Sequence, residues 1–276
     1  MVSDKLVYYL KAWTLAAPQP LAQTVTSHVY TVTHEGTRAV LKLLTEVGEE
    51  ERAGAVALRH YNGHGAVRLL RADENAHLLE YADGENLVGM VKRGDDAQAT
   101  AIIGDVLNQL HAAPKTFPDG LYTLKRWFRE LFRKADADRR AGLHSVYVRA
   151  AGIAEGVLDD PRDVCVLHGD MHHENVRWRE GRGWLAFDPK GLVGEKTYDA
   201  ANVLCNPMDM PDLVENEARI LSTAGILGEK MGVDPGRILT FTFMYTCLSA
   251  SWYASSGEDP SDDLRMAALV EPHVRF

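Results

Sequence analysis

The chain has 276 residues, of which 46% are hydrophobic and 25% are charged, and its formal net charge is −9. That length exceeds one minimal core and suits a unit with two lobes. The acidic balance disfavours a nucleic-acid partner, because phosphate contacts need clustered Lys and Arg. No run of about 20 apolar residues could span a bilayer, so we expect no membrane association. Lys5 and Lys11 interrupt the longest apolar run near the start, so we expect no signal peptide. The three cysteines lack C-x-x-C pairing, as is typical of reduced thiols, so we expect a cytoplasmic protein. We also expect either a monomer or a homodimer.

Residues 1–82 are predicted to form a small lobe built on a sheet. Apolar spacing predicts a first packing helix over 4–15, which a Pro-Gln-Pro segment at 18–20 would end. Runs rich in β-branched residues, separated by turn residues, then predict the sheet. Its five strands would be 21–25, 28–33, 38–44, 66–71 and 76–81, with one helix over 49–61.

A lysine closes the third predicted strand. Lys42 follows Ala-Val-Leu, and kinases use a lysine at this place to hold the α- and β-phosphates of ATP. A glutamate from the next helix should pair with it, and the candidates are Glu49, Glu50 and Glu51. We favour Glu51, because it leads the apolar face of that helix.

Two other parts of this lobe are predicted to contact the nucleotide. The loop around Ser27 lacks a G-x-G-x-x-G pattern, but small hydroxyl residues and backbone N–H groups there could cover a β-phosphate. Residues 78–84 pass from strand to loop as a hinge, where adenine would bond to backbone groups near Glu80 and Ala82.

Helical periodicity dominates residues 83–276, the second predicted lobe. Helices are predicted over 95–112, 121–134, 213–231, 237–251 and 264–270. We expect the aromatic pair Trp127 and Phe128 to pack between helices. The predicted fold class is α+β and bilobal: a five-stranded antiparallel lobe with one main helix, and a larger, mostly helical lobe.

Residues with the chemistry of phosphoryl transfer lie inside the second lobe. Positions 166–175 read Val-Leu-His-Gly-Asp-Met-His-His-Glu-Asn, and 185–189 read Leu-Ala-Phe-Asp-Pro. Transfer from ATP needs a carboxylate to accept the hydroxyl proton, and an Asn and a second Asp to hold magnesium. Asp170, Asn175 and Asp188 have that order, and Asp-x4-Asn is the interval of the kinase catalytic loop. The sequence therefore predicts a kinase-type site that uses ATP and Mg²⁺.

Two adjacent histidines, His172 and His173, follow the predicted base. They invite a zinc interpretation, but adjacent side chains in an extended loop point apart. We expect them to be exposed and to line the substrate entrance.

Several segments resemble the aminoglycoside/hydroxyurea phosphotransferase family, particularly its streptomycin 6-kinase-like members. They are residues 63–70, 168–175, 187–195 and 198–207, within a likeness that spans roughly residues 20–255. The resemblance implies a protein-kinase-like fold, use of ATP and magnesium, and phosphorylation of hydroxyl groups on small antibiotics.

Carried over by position, the resemblance makes Asp170 the catalytic base. It places Asn175 and Asp188 on magnesium, Lys42 on the phosphates, and Ser27 in the nucleotide-covering loop.

The resemblance also implies structural roles. Asp199 would brace the catalytic loop through its backbone, and His168 would hold that loop in place. Asp188 is followed by Pro rather than Phe-Gly, so no activation-loop switch is expected. Gly54 stands where family members often carry a glutamate, which leaves the partner of Lys42 open.

The predicted activity is phosphorylation of an aminoglycoside such as streptomycin, which would inactivate the antibiotic. Its guanidinium groups would suit acids of the second lobe: Asp209, Asp212, Glu215, Glu258, Asp259, Asp262 and Asp263. The alternatives are a kinase of another small hydroxylated metabolite and a non-catalytic nucleotide-binding homologue. The latter should lack one of the key Asp, Asn or Lys residues, and all are present here.

Overall fold

The computed structural model describes residues 4–275, and its first part is a five-stranded antiparallel sheet. The elements are α1 (Asp4–Ala12), β1 (Ala16–Gln23), β2 (Ser27–His34), β3 (Thr37–Leu44), α2 (Arg52–Tyr61), β4 (Leu69–Ala72) and β5 (Ala76–Glu80). The strand order is β1-β2-β3-β5-β4, so β3 lies at the centre. The predicted five-stranded antiparallel sheet is confirmed.

The edge strand β1 differs from its prediction. It begins at Ala16 and includes Pro18 and Pro20, which were expected only to end the first helix. An edge strand tolerates proline because one side of it needs no ladder hydrogen bonds, and the pairing with β2 is irregular on both sides of this segment. Helix α1 packs on the sheet through Leu6 and Tyr9, as a packing helix should, and Trp13 just after it joins the same cluster.

The rest of the chain is mainly helical. Its helices are α3 (Val88–Lys92), α4 (Asp96–His111), α5 (Leu124–Trp127), α6 (Arg129–Arg140), α7 (Val146–Asp159), α8 (Tyr198–Leu204), α9 (Pro211–Val214), α10 (Glu217–Met231), α11 (Pro235–Ser256) and α12 (Ser261–Val270). Its strands are β6 (Tyr122–Thr123), β7 (Val164–Leu167), β8 (Val176–Arg179), β9 (Gly183–Ala186) and β10 (Leu192–Glu195). Among residues 4–275, no helix is both long and apolar enough to cross a membrane.

Two predicted helices are broken in the structure. The segment 121–134 divides into β6, α5 and part of α6, and the segment 213–231 divides at residues 215–216. Asn216 causes the second break, because its side chain accepts a hydrogen bond from Arg219 N and caps α10. Helices α3, α7 and α8 and strands β8 and β10 were not predicted.

Two small sheets bring the chemical loops together. In one, β10 pairs with β7 antiparallel and with β6 in parallel, and in the other β8 and β9 form a hairpin. The loop after β7 carries residues 168–175, and the loop after β9 carries residues 187–191. Pairing of β7 with β10 therefore places these loops side by side.

The division of the chain into parts 1–82 and 83–276 stays a prediction. Residues 1–3 of the first part and residue 276 of the second lie outside the described residues. Helix α2 belongs to the first part by sequence. Its Leu58 and Tyr61 side chains nevertheless pack in the main hydrophobic core, together with helices of the second part.

Candidate active site

One carboxylate holds the loop after β7. Asp199 is 1% exposed, and its two oxygens accept hydrogen bonds from Gly169 N at 2.7 Å and His168 N at 3.0 Å. His111 Nε2 lies 2.8 Å from the same carboxylate. Gly169 has φ +81°, and a Cβ there would lie 2.8 Å from the Leu192 side chain, so only glycine fits this turn. Asp199 thus contacts the loop backbone.

His168 joins the two chemical loops. Its ring is fully buried, Nε2 donates to Phe187 O at 3.0 Å, and Nδ1 accepts from Asp170 N at 3.3 Å. Burial lowers the pKa of His168, which favours the neutral ring that this pair of bonds requires. The backbone of Lys190 also donates to His168 O, at 2.7 Å. These hydrogen bonds therefore connect the two loops directly.

The carboxylate of Asp170 faces the space between the loops. Its Oδ1 accepts from Asn202 Nδ2 at 2.9 Å, and its Oδ2 lies 3.6 Å from Lys190 Nζ. Asn206 Nδ2 donates to Asn202 Oδ1 at 2.8 Å and so fixes the orientation of the Asn202 amide. A partly exposed, oriented carboxylate can accept a proton from a hydroxyl group.

Asn175 and Asp188 are the two predicted magnesium ligands. Asn175 Nδ2 donates to Asp170 O at 2.9 Å, which leaves its Oδ1 available, and Asn175 O accepts from Phe187 N at 3.0 Å. Asp188 has φ +62°, a strained conformation for a residue other than glycine. Burial opposes ionisation of Asp188, but the charges of Lys42 and Lys190 outweigh it and lower the pKa of Asp188 to about 2.

Lys42 lies on the central strand β3 and pairs with two carboxylates. Its Nζ is 2.6 Å from Glu51 Oε2 and also contacts Asp188 Oδ1. Glu51 is thus the glutamate that the structure pairs with Lys42, although it belongs to a 3-10 turn just before α2. Burial would raise the pKa of Glu51, but Lys42 outweighs it and the pKa is lowered. Thr26 Oγ1 donates to the other oxygen of Glu51 at 2.8 Å.

Gly54, where the family resemblance leads one to expect a glutamate, has a steric reason to be glycine. A Cβ at Gly54 would lie 2.3 Å from Pro189 O, so any side chain would push α2 away from the Asp188 loop. Close packing of α2 on this loop is what brings Glu51 to Lys42.

The hinge side chains are engaged in contacts between strands. The Glu80 carboxylate accepts from Arg68 N at 2.9 Å, lies 2.9 Å from Arg179 Nε and also contacts Arg182. The Glu80 N–H donates to Arg68 O, so any bond from Glu80 to an adenine would have to use its carbonyl. Ala82 is buried.

Ser27 is the first residue of β2 and is 1% exposed. Its Oγ lies 3.1 Å from Thr24 Oγ1, inside the turn that joins β1 to β2. A contact between Ser27 and a nucleotide stays a prediction.

The expectation for the histidine pair is wrong for His173. That ring is 0% exposed, and neither of its nitrogens has a hydrogen-bond partner among residues 4–275. Burial lowers the pKa of His173 to about 3, so the ring is neutral. His172 is half-buried, and its Nδ1 accepts from Glu174 N at 3.4 Å. The loop folds back after Asp170 into a 3-10 turn, which carries His173 into the core.

A cavity of about 480 Å³ lies beside the catalytic loop, between α8, α9, α11 and α12. Asn202, which bonds to Asp170, is part of its lining. Tyr245 and Trp252 line both this cavity and a second one of about 390 Å³, which contains Asp170 and Lys190. A molecule bound in the larger cavity could therefore present a group to Asp170.

Four of the seven predicted acids line the larger cavity: Glu215, Glu258, Asp262 and Asp263. The other three are not part of this lining, and their contact with a substrate stays a prediction. Asp209 pairs with Lys92 at 2.8 Å, and Asp212 lies exposed in the first turn of α9. Asp259 accepts from Ser261 N at 3.0 Å, in the turn before α12.

The four lining acids differ in their partners. Arg265 pairs with Glu215 at 2.9 Å and with Asp262 at 2.6 Å. Among residues 4–275, neither Asp263 nor Glu258 forms an ion pair. Burial raises the pKa of Asp263 to about 6, with a smaller contribution from Asp262 and against a hydrogen bond from Ser249. Asp263 is thus a carboxylate without a cation inside the cavity.

Sequence reasoning missed several residues of this site. Asn202 follows Asp199 by three positions on α8, and that helical spacing could have identified it as a second polar group on the same face. Lys190 follows Asp188 by two residues, within a segment that carries the family resemblance. Phe128 is fully buried as expected, whereas Trp127 lines the smaller cavity.

The family model and the relatives that match this chain agree on one protein family. The sequence model of aminoglycoside/hydroxyurea antibiotic resistance kinases matches residues 12–257. A streptomycin 3''-kinase from Klebsiella pneumoniae is 36% identical over 253 residues, which cover 90% of this chain and 92% of that protein. A streptomycin 6-kinase from Streptomyces griseus is 32% identical over 252 residues, with 86% and 79% covered.

A solved structure shows the same fold at low identity. It is a thermostable mutant of the aminoglycoside phosphotransferase APH(4)-Ia in a ternary complex with AMP-PNP and hygromycin B. The TM-score is 0.68 at 12% identity, with 98% of each chain covered. The bilobal protein-kinase-like fold is confirmed.

Proposed function

The chain belongs to the aminoglycoside/hydroxyurea antibiotic resistance kinase family, and from this premise we propose that it transfers the γ-phosphoryl group of ATP to a hydroxyl group of streptomycin. The observation that supports streptomycin as the substrate is the lining of the larger cavity. Its lining has four carboxylates and, among residues 4–275, no Lys, Arg or His side chain. Both relatives described above are streptomycin kinases.

The acceptor cavity suits a cation. Streptomycin carries guanidinium groups, and each charge-assisted hydrogen bond to a desolvated carboxylate contributes about 1.5–3 kcal/mol. Asp263 is the best anchor, because Glu215 and Asp262 already pair with Arg265 and Glu258 is exposed to solvent. Trp252 and Tyr245 extend from this cavity toward Asp170 and would support the sugar rings.

The donor side suits a magnesium nucleotide. Asn175 offers an amide oxygen and Asp188 a carboxylate, and such hard oxygen ligands are those that Mg²⁺ prefers. Bound between them and the phosphates, the metal would neutralise charge that develops during transfer. Lys42, oriented by Glu51, would bind the α- and β-phosphates.

Asp170 would act as the base. The acceptor hydroxyl gives its proton to Asp170, its oxygen forms a bond to the γ-phosphorus, and the bond from that phosphorus to the bridging β,γ-oxygen breaks. The products are ADP and a phosphate ester. Asn202 holds the carboxylate toward the acceptor, while Asp199 and His168 keep the loop backbone fixed.

The test is an acceptor panel with the purified protein and Mg·ATP. We expect ADP release with streptomycin, matched one-to-one by phosphorylated streptomycin in mass spectra, and little release with a neutral aminocyclitol or with hydroxyurea. Phosphorus NMR of the product would decide between the 3'' and 6 hydroxyl groups. ADP release with the neutral acceptors alone would reject streptomycin and leave the phosphotransferase assignment in place.

A further inference from the structure

Lys190 lies between the two carboxylates that the proposed reaction uses. Its Nζ is 3.6 Å from Asp170 Oδ2 and 3.9 Å from Asp188 Oδ2. The Lys190 side chain is 28% exposed and lines the cavity that contains Asp170.

The backbone of this residue is fixed on both sides. Lys190 N donates to His168 O at 2.7 Å, which ties it to the catalytic loop. On the other side, a Cβ at Gly191 would lie 2.1 Å from Ala53 O, so this glycine touches α2 directly. With the backbone held, the ammonium group of Lys190 lies beside both carboxylates.

Two lysines flank Asp188, and their positions differ. Lys42 contacts Asp188 Oδ1 from strand β3, whereas Lys190 approaches Oδ2 from the side of Asp170. A base must lie within hydrogen-bond reach of the proton that it accepts, so the attacked phosphorus has to lie close to Asp170. Of the two lysines, Lys190 is the one next to that position.

We propose that Lys190 is a catalytic residue whose ammonium group contacts the γ-phosphoryl oxygens of bound ATP and neutralises their charge during transfer. The proposal rests on the proposed function, since it needs Asp170 as the base. Lys190 keeps its proton throughout: the acceptor proton goes to Asp170, and the electron pair of the breaking bond stays on ADP. Without nucleotide, the same ammonium group separates two carboxylates that would otherwise repel each other.

Measurements of nucleotide affinity distinguish the roles of Lys190 and Lys42, and they need no acceptor molecule. Affinities for Mg·ADP and Mg·AMP-PNP would be measured by calorimetry on the wild type and on Lys190→Met. Loss of a charge-assisted contact to the γ-phosphoryl group should weaken AMP-PNP binding roughly ten- to a hundred-fold and ADP binding less than about threefold. Lys42→Met should weaken both nucleotides alike.

Lys196→Met is the matched control. The Lys196 side chain has a similar exposure, 22%, and pairs with Asp163 at 3.1 Å. It lines neither the cavity that contains Asp170 nor the larger cavity beside it. Its substitution should leave both affinities unchanged. If Lys190→Met does not fold, Lys190→Gln gives the same comparison, because a glutamine amide can still donate to a carboxylate.

Turnover gives the second readout. Lys190→Met should lower kcat by about 10²–10³-fold, the effect of removing one donor from a charged transition state, with the acceptor KM little changed. Lys190→Arg should recover part of the loss.

Three outcomes would overturn the proposal in distinguishable ways. Equal weakening of ADP and AMP-PNP by Lys190→Met, or near-normal turnover, removes Lys190 from the γ-phosphoryl group and leaves the proposed function standing. A wild type that binds neither nucleotide rejects both together.

Discussion

The proposed nucleotide side and the proposed acceptor side of the site differ in their balance of carboxylates and cations. On the proposed nucleotide side, Glu51, Asp188 and Asp170 each lie within 4 Å of a lysine, so the acids and the two lysines nearly balance. On the acceptor side, four carboxylates line the cavity, and among residues 4–275 only Glu215 and Asp262 pair with a cation, Arg265.

This difference indicates what each side is prepared to bind. A balanced cluster can exchange its internal ion pairs for the phosphates and metal of Mg·ATP, with little net cost in desolvated charge. A surplus of carboxylates costs stability unless a cation arrives. The contrast therefore predicts that donor-side substitutions change kcat, whereas acceptor-side substitutions change KM for charged acceptors.

The largest effect should come from Asp188→Ala. Loss of one magnesium ligand should lower turnover by about 10³-fold or more, because a bound metal supplies several kcal/mol of charge stabilisation. Turnover would be measured across a magnesium titration, with circular dichroism to verify the fold. Near-normal activity at saturating magnesium would exclude Asp188 as a ligand.

Asp170→Asn should have the next largest effect. Removing the base should lower kcat by at least about 10²-fold, while nucleotide affinity stays the same. The asparagine oxygen can still accept from Asn202 Nδ2, so the local structure is kept. Retained turnover in the variant would mean that another group accepts the proton.

Asp263→Asn tests the acceptor side. KM for streptomycin should rise roughly ten-fold with kcat little changed, because one buried charge-assisted hydrogen bond is lost. Asp262→Asn is the matched control, since Asp262 is exposed and already paired with Arg265, and it should change KM less than about threefold. Equal effects of both variants would contradict the assignment of Asp263 as the anchor.

The raised pKa of Asp263 also predicts a pH dependence. Protonation below its pKa of about 6 removes the anion that a cationic acceptor needs. The value of kcat/KM for streptomycin should therefore fall as pH drops through 6, and Asp263→Asn should lack this decrease. A neutral acceptor serves as the control for other titrating groups.

The same ionisation acts on stability. The folded protein binds a proton at Asp263 more tightly than the unfolded chain, whose carboxyl has the ordinary value of 3.8, so stability is lost as pH rises from 3.8 to about 6. Asp263→Asn should have a higher Tm than the wild type at pH 7, and the difference should shrink toward pH 4. Calorimetric scans at both pH values would measure it.

Asp209→Asn should give the smallest effect. Asp209 is exposed, pairs with Lys92 and lies outside the lining, so KM for streptomycin should change less than about twofold. A large rise in KM would mean that the acceptor extends beyond the cavity.

Local patterns predicted much of the fold. Strands β2 and β3 follow from segments with β-branched residues and a turn between them, and the long helices α4 and α11 follow from apolar spacing, because both signals act over a few residues. The short helix α8 was missed, since all seven of its residues are buried and it has no exposed polar face. Breaks inside two predicted helices were also missed, because a single cap such as Asn216 decides them.

The sequence by itself determined the chemical groups of the site. The order of Asp170, Asn175 and Asp188 and the lysine of the third predicted strand can be identified from spacing alone, because a kinase-type catalytic loop needs particular residue types at fixed intervals. The tertiary structure decided which groups meet. Lys42 and Asp188 lie 146 positions apart, Lys190 reaches Asp170 only because β10 pairs with β7, and packing of α11 and α12 selects the acids that line the cavity. Such contacts depend on how distant segments pack, and no local pattern of residues encodes that.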